Sequence, residues 1–140
     1  MDPRLQAPAQ AMRLGIGLMA TLAGIDKFFN ILVDWGSYVS PLAAQLLPFS
    51  TDMFMWIVGV VEFAVGISIL TALPVIGSYV ASAWLLLVAV NLTLAGDFDI
   101  AVRDVVLSIG AFSLARLIQV RDQVDVTEAI PAPVRHHRIA

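Results

Sequence analysis

An all-α integral membrane fold is predicted: a four-helix bundle, with a short interfacial or re-entrant helix between helices 1 and 2. Three observations predict it. Hydrophobic residues make up 59% of the 140 and charged residues only 14%, whereas a soluble domain carries about 25% charged residues. Mean hydropathy is +0.87, so the chain has too little polar surface to face water on all sides. The apolar residues also gather into four runs of about 20, each enough at ~1.5 Å per residue to cross a ~30 Å hydrocarbon core. Lipid cannot satisfy open backbone groups, and the runs lack the alternation of barrel strands, so the spans are read as helices.

The elements follow in order. Residues 1–10 form a polar, proline-containing lead-in. Arg4 and Arg13 before an apolar run resemble a signal peptide, but no small-x-small cleavage site follows, so the segment is expected to be retained. The transmembrane domain is placed at 11–120. Its first span runs from Ala11 to Val33, with Asp26 and Lys27 late in it, and its second from Asp52 to Ala72, with one charge, Glu62. The third, Pro74 to Gly96, carries Asn91 and no charge. The fourth, Ile100 to Val120, has Arg103 and Asp104 in its first turn and Arg116 near its end. Residues 121–140 are read as a mobile polar tail.

The connections sharpen this reading. Asp34 to Thr51 is long, apolar and too short to span. Ser40 and Pro41 are placed to start a short helix there, ending before Pro48. Trp35, Tyr38 and Trp56 flank it like an aromatic belt. A tight turn is expected at Leu73-Pro74, and a second at Asp97-Phe98-Asp99, which makes helices 3 and 4 antiparallel neighbours. Arg4, Arg13, Arg116, Arg121, Arg135 and Arg138 fall on the side of the termini, against Lys27 and Arg103 opposite. That bias predicts cytoplasmic termini in a multi-pass protein of a bacterial inner membrane. Leu22-Ala23-Gly24 before Asp26 and Leu94-Ala95-Gly96 before Asp97 form a weak internal echo.

Charge is distributed unevenly by depth. Asp26, Lys27, Glu62, Asp97, Asp99, Arg103 and Asp104 all fall in the outer half, and Asn30 and Asn91 lie there too. A charge at the bilayer centre costs roughly 2.5–3.5 kcal/mol, so such groups need partners. Glu62, about 15 Å deep, is expected to be held neutral by a proton, because burial disfavours the charged form. It is the residue hardest to explain by packing. Asp26, Lys27, Arg103 and Asp104 fit packing pairs as well as a site. Asp99 reads as the N-cap of helix 4, and Asn91 as a hydrogen-bonder within the bundle. Gly59 and Gly66 flank Glu62, so a helix or a ligand can come close.

Several chemistries are excluded. Cysteine is absent, which removes thiol chemistry and thiolate metal sites. Seven of the 8 basic residues are Arg and none forms a run, so nucleic acid is not a partner. His136 and His137 have no neighbouring ligand type, and no span carries paired histidines for a haem. Walker, GxSxG and zinc motifs are missing.

Three strings resemble the small DoxX-like membrane proteins of bacteria. They are Gly24-Ile25-Asp26-Lys27-Phe28-Phe29-Asn30, Gly59-Val60-Val61-Glu62, and Asn91-Leu92 followed by Gly96-Asp97-Phe98-Asp99-Ile100-Ala101-Val102-Arg103-Asp104. Leu114-Ala115-Arg116-Leu117 fits as well, and the resemblance covers residues 11–118. It implies one compact four-helix bundle, with Asp26, Lys27, Glu62, Asn91, Arg103 and Asp104 at motif positions. It also implies an association with quinone-linked oxidation of sulfur compounds or with membrane redox complexes.

Three functions are weighed. The first is an accessory subunit of a membrane redox or energy-converting complex, without catalysis or a cofactor of its own. Gly15, Gly17 and Gly24, or Gly59 and Gly66, would then dock on a larger partner or a second copy. The second is a site for a quinone or other amphiphile in the outer half, served by Lys27, Arg103 and Glu62, which requires an apolar-walled cavity beside Glu62. The third, a proton pathway through Glu62, Asp26 and Asp99, is weakest because the inner half is read as lacking polar steps.

Overall fold

In the computed structural model, residues 3–129 are described, and no strand occurs among them. The order is α1 (Pro3–Asp26), a 3-10 turn (Trp35–Tyr38), α2 (Pro41–Leu46), α3 (Thr51–Leu70), α4 (Pro74–Ala95) and α5 (Phe98–Ala129). Two of these helices, α3 and α4, are long and apolar enough to cross a membrane.

Local chemistry sets the boundaries. α1 stops at Asp26 and does not continue to Val33. The Asp26 carboxylate accepts the amides of Ile31 and Leu32 at 3.1 and 3.0 Å, which turns the chain back over the helix end. Asn30 completes the turn at φ 50°, a left-handed conformation that Asn tolerates. Ser40 caps α2, its hydroxyl accepting from Ala43 N at 3.2 Å, with Pro41 in the first turn as expected. Ser50 caps α3 in the same way. α4 ends at Gly96, at φ 95°. The amides of Gly96 and Asp97 return to Thr93 O and Leu92 O in a Schellman closure.

Only Gly96 and Asp97 separate α4 from α5. Asp99 therefore lies inside the first turn of α5 and does not cap it, although its charge still suits a helix N-terminus. The expected tail also begins as helix. α5 runs on through Arg121 to Ala129, a stretch with neither Gly nor Pro to stop it. His136 and His137 lie outside the described residues.

The four long helices form a ring in which α1 packs on α3, α3 on α4, α4 on α5, and α5 closes lightly on α1. The α1–α3 contact is close because glycine faces backbone. A Cβ on Gly24 would meet Gly59 O at 2.7 Å and one on Gly66 would meet Gly17 O at 2.8 Å. Arg13 fastens one end of this pair. Its guanidinium donates to Ile69 O, Leu70 O and Thr71 O at 2.7, 2.9 and 2.9 Å, which satisfies the open carbonyls at the C-terminus of α3.

The core is concentrated at that same end. Ile16, Val65, Ile69, Ala81, Ala111, Leu114 and Ile118 form one buried cluster. The outward faces are apolar too. Leu14, Leu18, Leu22 and Ile25 of α1 are exposed, as are Val102, Val106, Ile109 and Phe112 of α5. Within α3 and α4, only 22% and 33% of the most apolar stretch is buried.

Candidate functional site

At the other end of the bundle the helices enclose a cavity of about 960 Å³. Met19 and Ala23 of α1, Val58 of α3, Leu85 and Val88 of α4, and Leu107 of α5 are among its apolar walls. The segment between α1 and α3 covers it with Leu32, Trp35, Tyr38 and Leu42. Exposed Leu22, Leu87, Val90 and Arg103 belong to the same walls, so the cavity is open to the surface of the bundle.

Lys27, Glu62, Asn91, Arg103 and Asp104 all line this cavity. Lys27, only 4% exposed, places its Nζ 2.5 Å from Glu62 Oε2. The ammonium also sits 3.7 Å from the centroid of the Trp35 ring, so an aromatic face completes its desolvated shell. The second Glu62 oxygen accepts from Trp84 Nε1 at 3.2 Å. The Glu62 carboxyl thus faces the Lys27 ammonium and the Trp84 indole, partners that its depth alone did not name. Lys27 follows the last residue of α1, and its long side chain reaches down to a carboxylate that lies deeper.

Arg103 and Asp104 form a second pair, at 2.9 Å, with Arg103 60% exposed and Asp104 5%. Asn91 serves the segment that covers the cavity. Its Oδ1 accepts from Ser40 N at 3.0 Å and its Nδ2 donates to Tyr38 O at 2.7 Å. Asp26 faces away from the cavity and anchors the other end of that segment. Besides two amides, it accepts the indole N–H of Trp35 at 2.8 Å. Asp99 is outside the walls as well.

Some participants were not recognised in the sequence. Trp35, expected in an aromatic belt, also bridges Asp26 and Lys27. Trp84 is a further participant. A buried indole N–H needs an acceptor, and Trp84 sits as far from the end of α4 as Glu62 sits from the start of antiparallel α3. That equality of depth was available in the sequence. Serines also place polar groups below the cavity: Ser82 and Ser108 hydroxyls lie 3.0 Å apart, and Ser78 Oγ is buried without a hydrogen-bond partner. The inner half is therefore not free of polar groups. Gly17, Gly24, Gly59 and Gly66 all pack inside the chain, so they do not present the partner-docking faces expected of them.

No family model, no curated protein and no solved structure matches the chain.

Proposed function

We propose that the chain is a small multi-pass membrane protein whose bundle holds a quinone or another amphiphile beside Lys27 and Glu62. The observation that carries this reading is the apolar-walled cavity ending on a paired lysine and carboxylate. Cavities of ~300–1,000 Å³ with few polar groups suit small-molecule ligands. In this reading α1 and α5 cross the bilayer with α3 and α4. Their exposed Leu, Ile, Val and Phe at helical spacing support this, since lipid is the natural solvent for such faces. The termini lie in the cytoplasm of a bacterium, following the arginine bias. The strings around Asp26, Glu62 and Arg103 support kinship with DoxX-like proteins.

The cavity is tested by thermal unfolding in lipid nanodiscs with and without a short-chain quinone. Binding to the folded state raises the midpoint, by about 2.7 kcal/mol of stability at a hundredfold excess over Kd. Ala20→Leu, which narrows the cavity, abolishes the rise. An unchanged midpoint across quinones and other amphiphiles overturns the reading.

A second reading, an accessory subunit of a membrane redox complex, retains one supporting observation. Gly15 has no atom of the described residues within 4 Å of an added Cβ, so a partner helix can approach there. Purification in mild detergent then yields a stable complex that Gly15→Leu disrupts. A lone monodisperse protein removes this reading.

A further inference from the structure

We infer that the cavity selects amphiphiles with an uncharged headgroup that offers an oxygen acceptor, and rejects anionic and cationic ones of the same chain length. This rests on the ligand-binding reading above and narrows it to a chemical class.

The first argument is charge. Among the described residues the walls hold four formally charged ones, Lys27, Glu62, Arg103 and Asp104. They cancel, and they cancel pairwise, at 2.5 Å for Lys27–Glu62 and 2.9 Å for Arg103–Asp104. Neither pair leaves an unmatched charge to greet an ion. A carboxylate or sulfate arriving at Lys27 has to displace Glu62, which then stays buried without its cation. An alkylammonium arriving at Glu62 strands Lys27 in the same way. Removing one partner from a buried pair is more costly than forming the pair is favourable, and a lone charge in hydrocarbon is costly on its own account. An uncharged headgroup imposes neither loss.

The second argument is hydrogen bonding. An ammonium has three donors. One meets Glu62 Oε2, and one face of the ammonium rests on Trp35, so a hydrogen remains for an acceptor in the cavity. The neighbouring groups are already committed. Glu62 Oε1 holds Trp84, and Asn91 is engaged through both its oxygen and its nitrogen. The polar end thus offers a donor in surroundings without net charge. A carbonyl, ether or hydroxyl oxygen accepts from it without demanding a counter-charge. The indoles of Trp35 and Trp84, both in the walls, supply flat surface beside that oxygen.

The chain has only three tryptophans. Trp56 is half exposed on the outside of α3, so Trp56→Phe leaves two indoles, both in the cavity wall. This variant, in nanodiscs, is titrated with an alkyl alcohol, an alkyl sulfate and an alkyltrimethylammonium of one length, each brominated on the chain to quench indole fluorescence on contact. Saturable quenching is expected for the alcohol at a concentration about tenfold or more below either ion, given the cost of an unpaired charge in this setting. Glu62→Gln should then shift preference to the sulfate, and Lys27→Gln to the ammonium. Should either variant fail to fold, the order of the three probes on the Trp56→Phe protein still decides. Equal or tighter saturable quenching by an ion overturns the uncharged-headgroup inference while leaving a ligand cavity. No saturable quenching by any probe overturns both.

Discussion

Glu62 shows how a charge deep in an apolar helix is accommodated at the scale of single residues. Its two oxygens are divided between Lys27 and Trp84, and Lys27 in turn leans on Trp35. Desolvation of both charges opposes this arrangement, and its depth makes a half-broken pair worse than either the whole pair or none. Glu62→Leu alone is therefore expected to destabilise the fold by about 3 kcal/mol, because Lys27 loses its counter-ion. Adding Lys27→Met should return most of that loss. Denaturant unfolding of the two single variants and the double variant measures the coupling. Additive losses would show that the pair does not act as a unit. The sequence revealed that Glu62 needed a partner, but not which one. Lys27 lies 35 positions away, and its nearest charged neighbour along the chain, Asp26, is occupied with backbone amides.

At the scale of elements, spans were readable because apolar run length is a strong signal, and α3 and α4 begin and end within two residues of the expected limits. The end of α1 was not readable in this way. Asp26 terminates α1 by accepting amides ahead of it, an interaction that hydropathy does not register. Beyond Val120, composition suggested a tail, yet helix continues because nothing breaks it. Small size makes the glycines conspicuous in the sequence, but which neighbour they serve depends on the pairing of α1 with α3. Gly66→Ala is expected to cost about 2 kcal/mol, because the added carbon meets Thr21 and the backbone of Gly17 and α1 must shift. Gly15→Ala, on a face of α1 where no described residue lies near, should gain about 0.5–1 kcal/mol. Unfolding midpoints of the two variants moving in the same direction would contradict this division. The cover of the cavity has its own latch. Asn91→Leu removes both bonds to it, so the Ser40 amide should exchange with solvent faster while amides in the middle of α4 keep their protection. Uniform acceleration along α4 would mean that Asn91 holds the helix itself.

For the whole molecule, the strongest expectation concerns topology. The absence of cysteine makes single introduced cysteines clean reporters. Ser37→Cys should react with a membrane-impermeant maleimide added to intact cells, and Asp122→Cys only after the membrane is opened. Labelling of both from one side would remove the arrangement in which four helices span. The pattern of packing was less legible than the spans. α4 pairs with α5 because only two residues join them, but that α1 pairs with α3 across a long connection follows from glycines and from Arg13, whose role in closing α3 its position near the N-terminus did not suggest.

Arg13 and Lys27 join α1 to α3 at opposite ends, with glycine contacts between them, while a short turn makes α4 and α5 a second stiff unit. The remaining seam, between α1 and α5, is closed mainly at the Ile16 end. Stiffness is therefore unequal around the ring. The sparsest packing between neighbouring long helices lies along that seam, where one pair of helices can shift against the other as a rigid body. If the bundle holds an amphiphile in a bilayer, as proposed above, that seam gives it a sideways route on the microsecond-to-millisecond scale of hinge motions, with no need for the aqueous face to open.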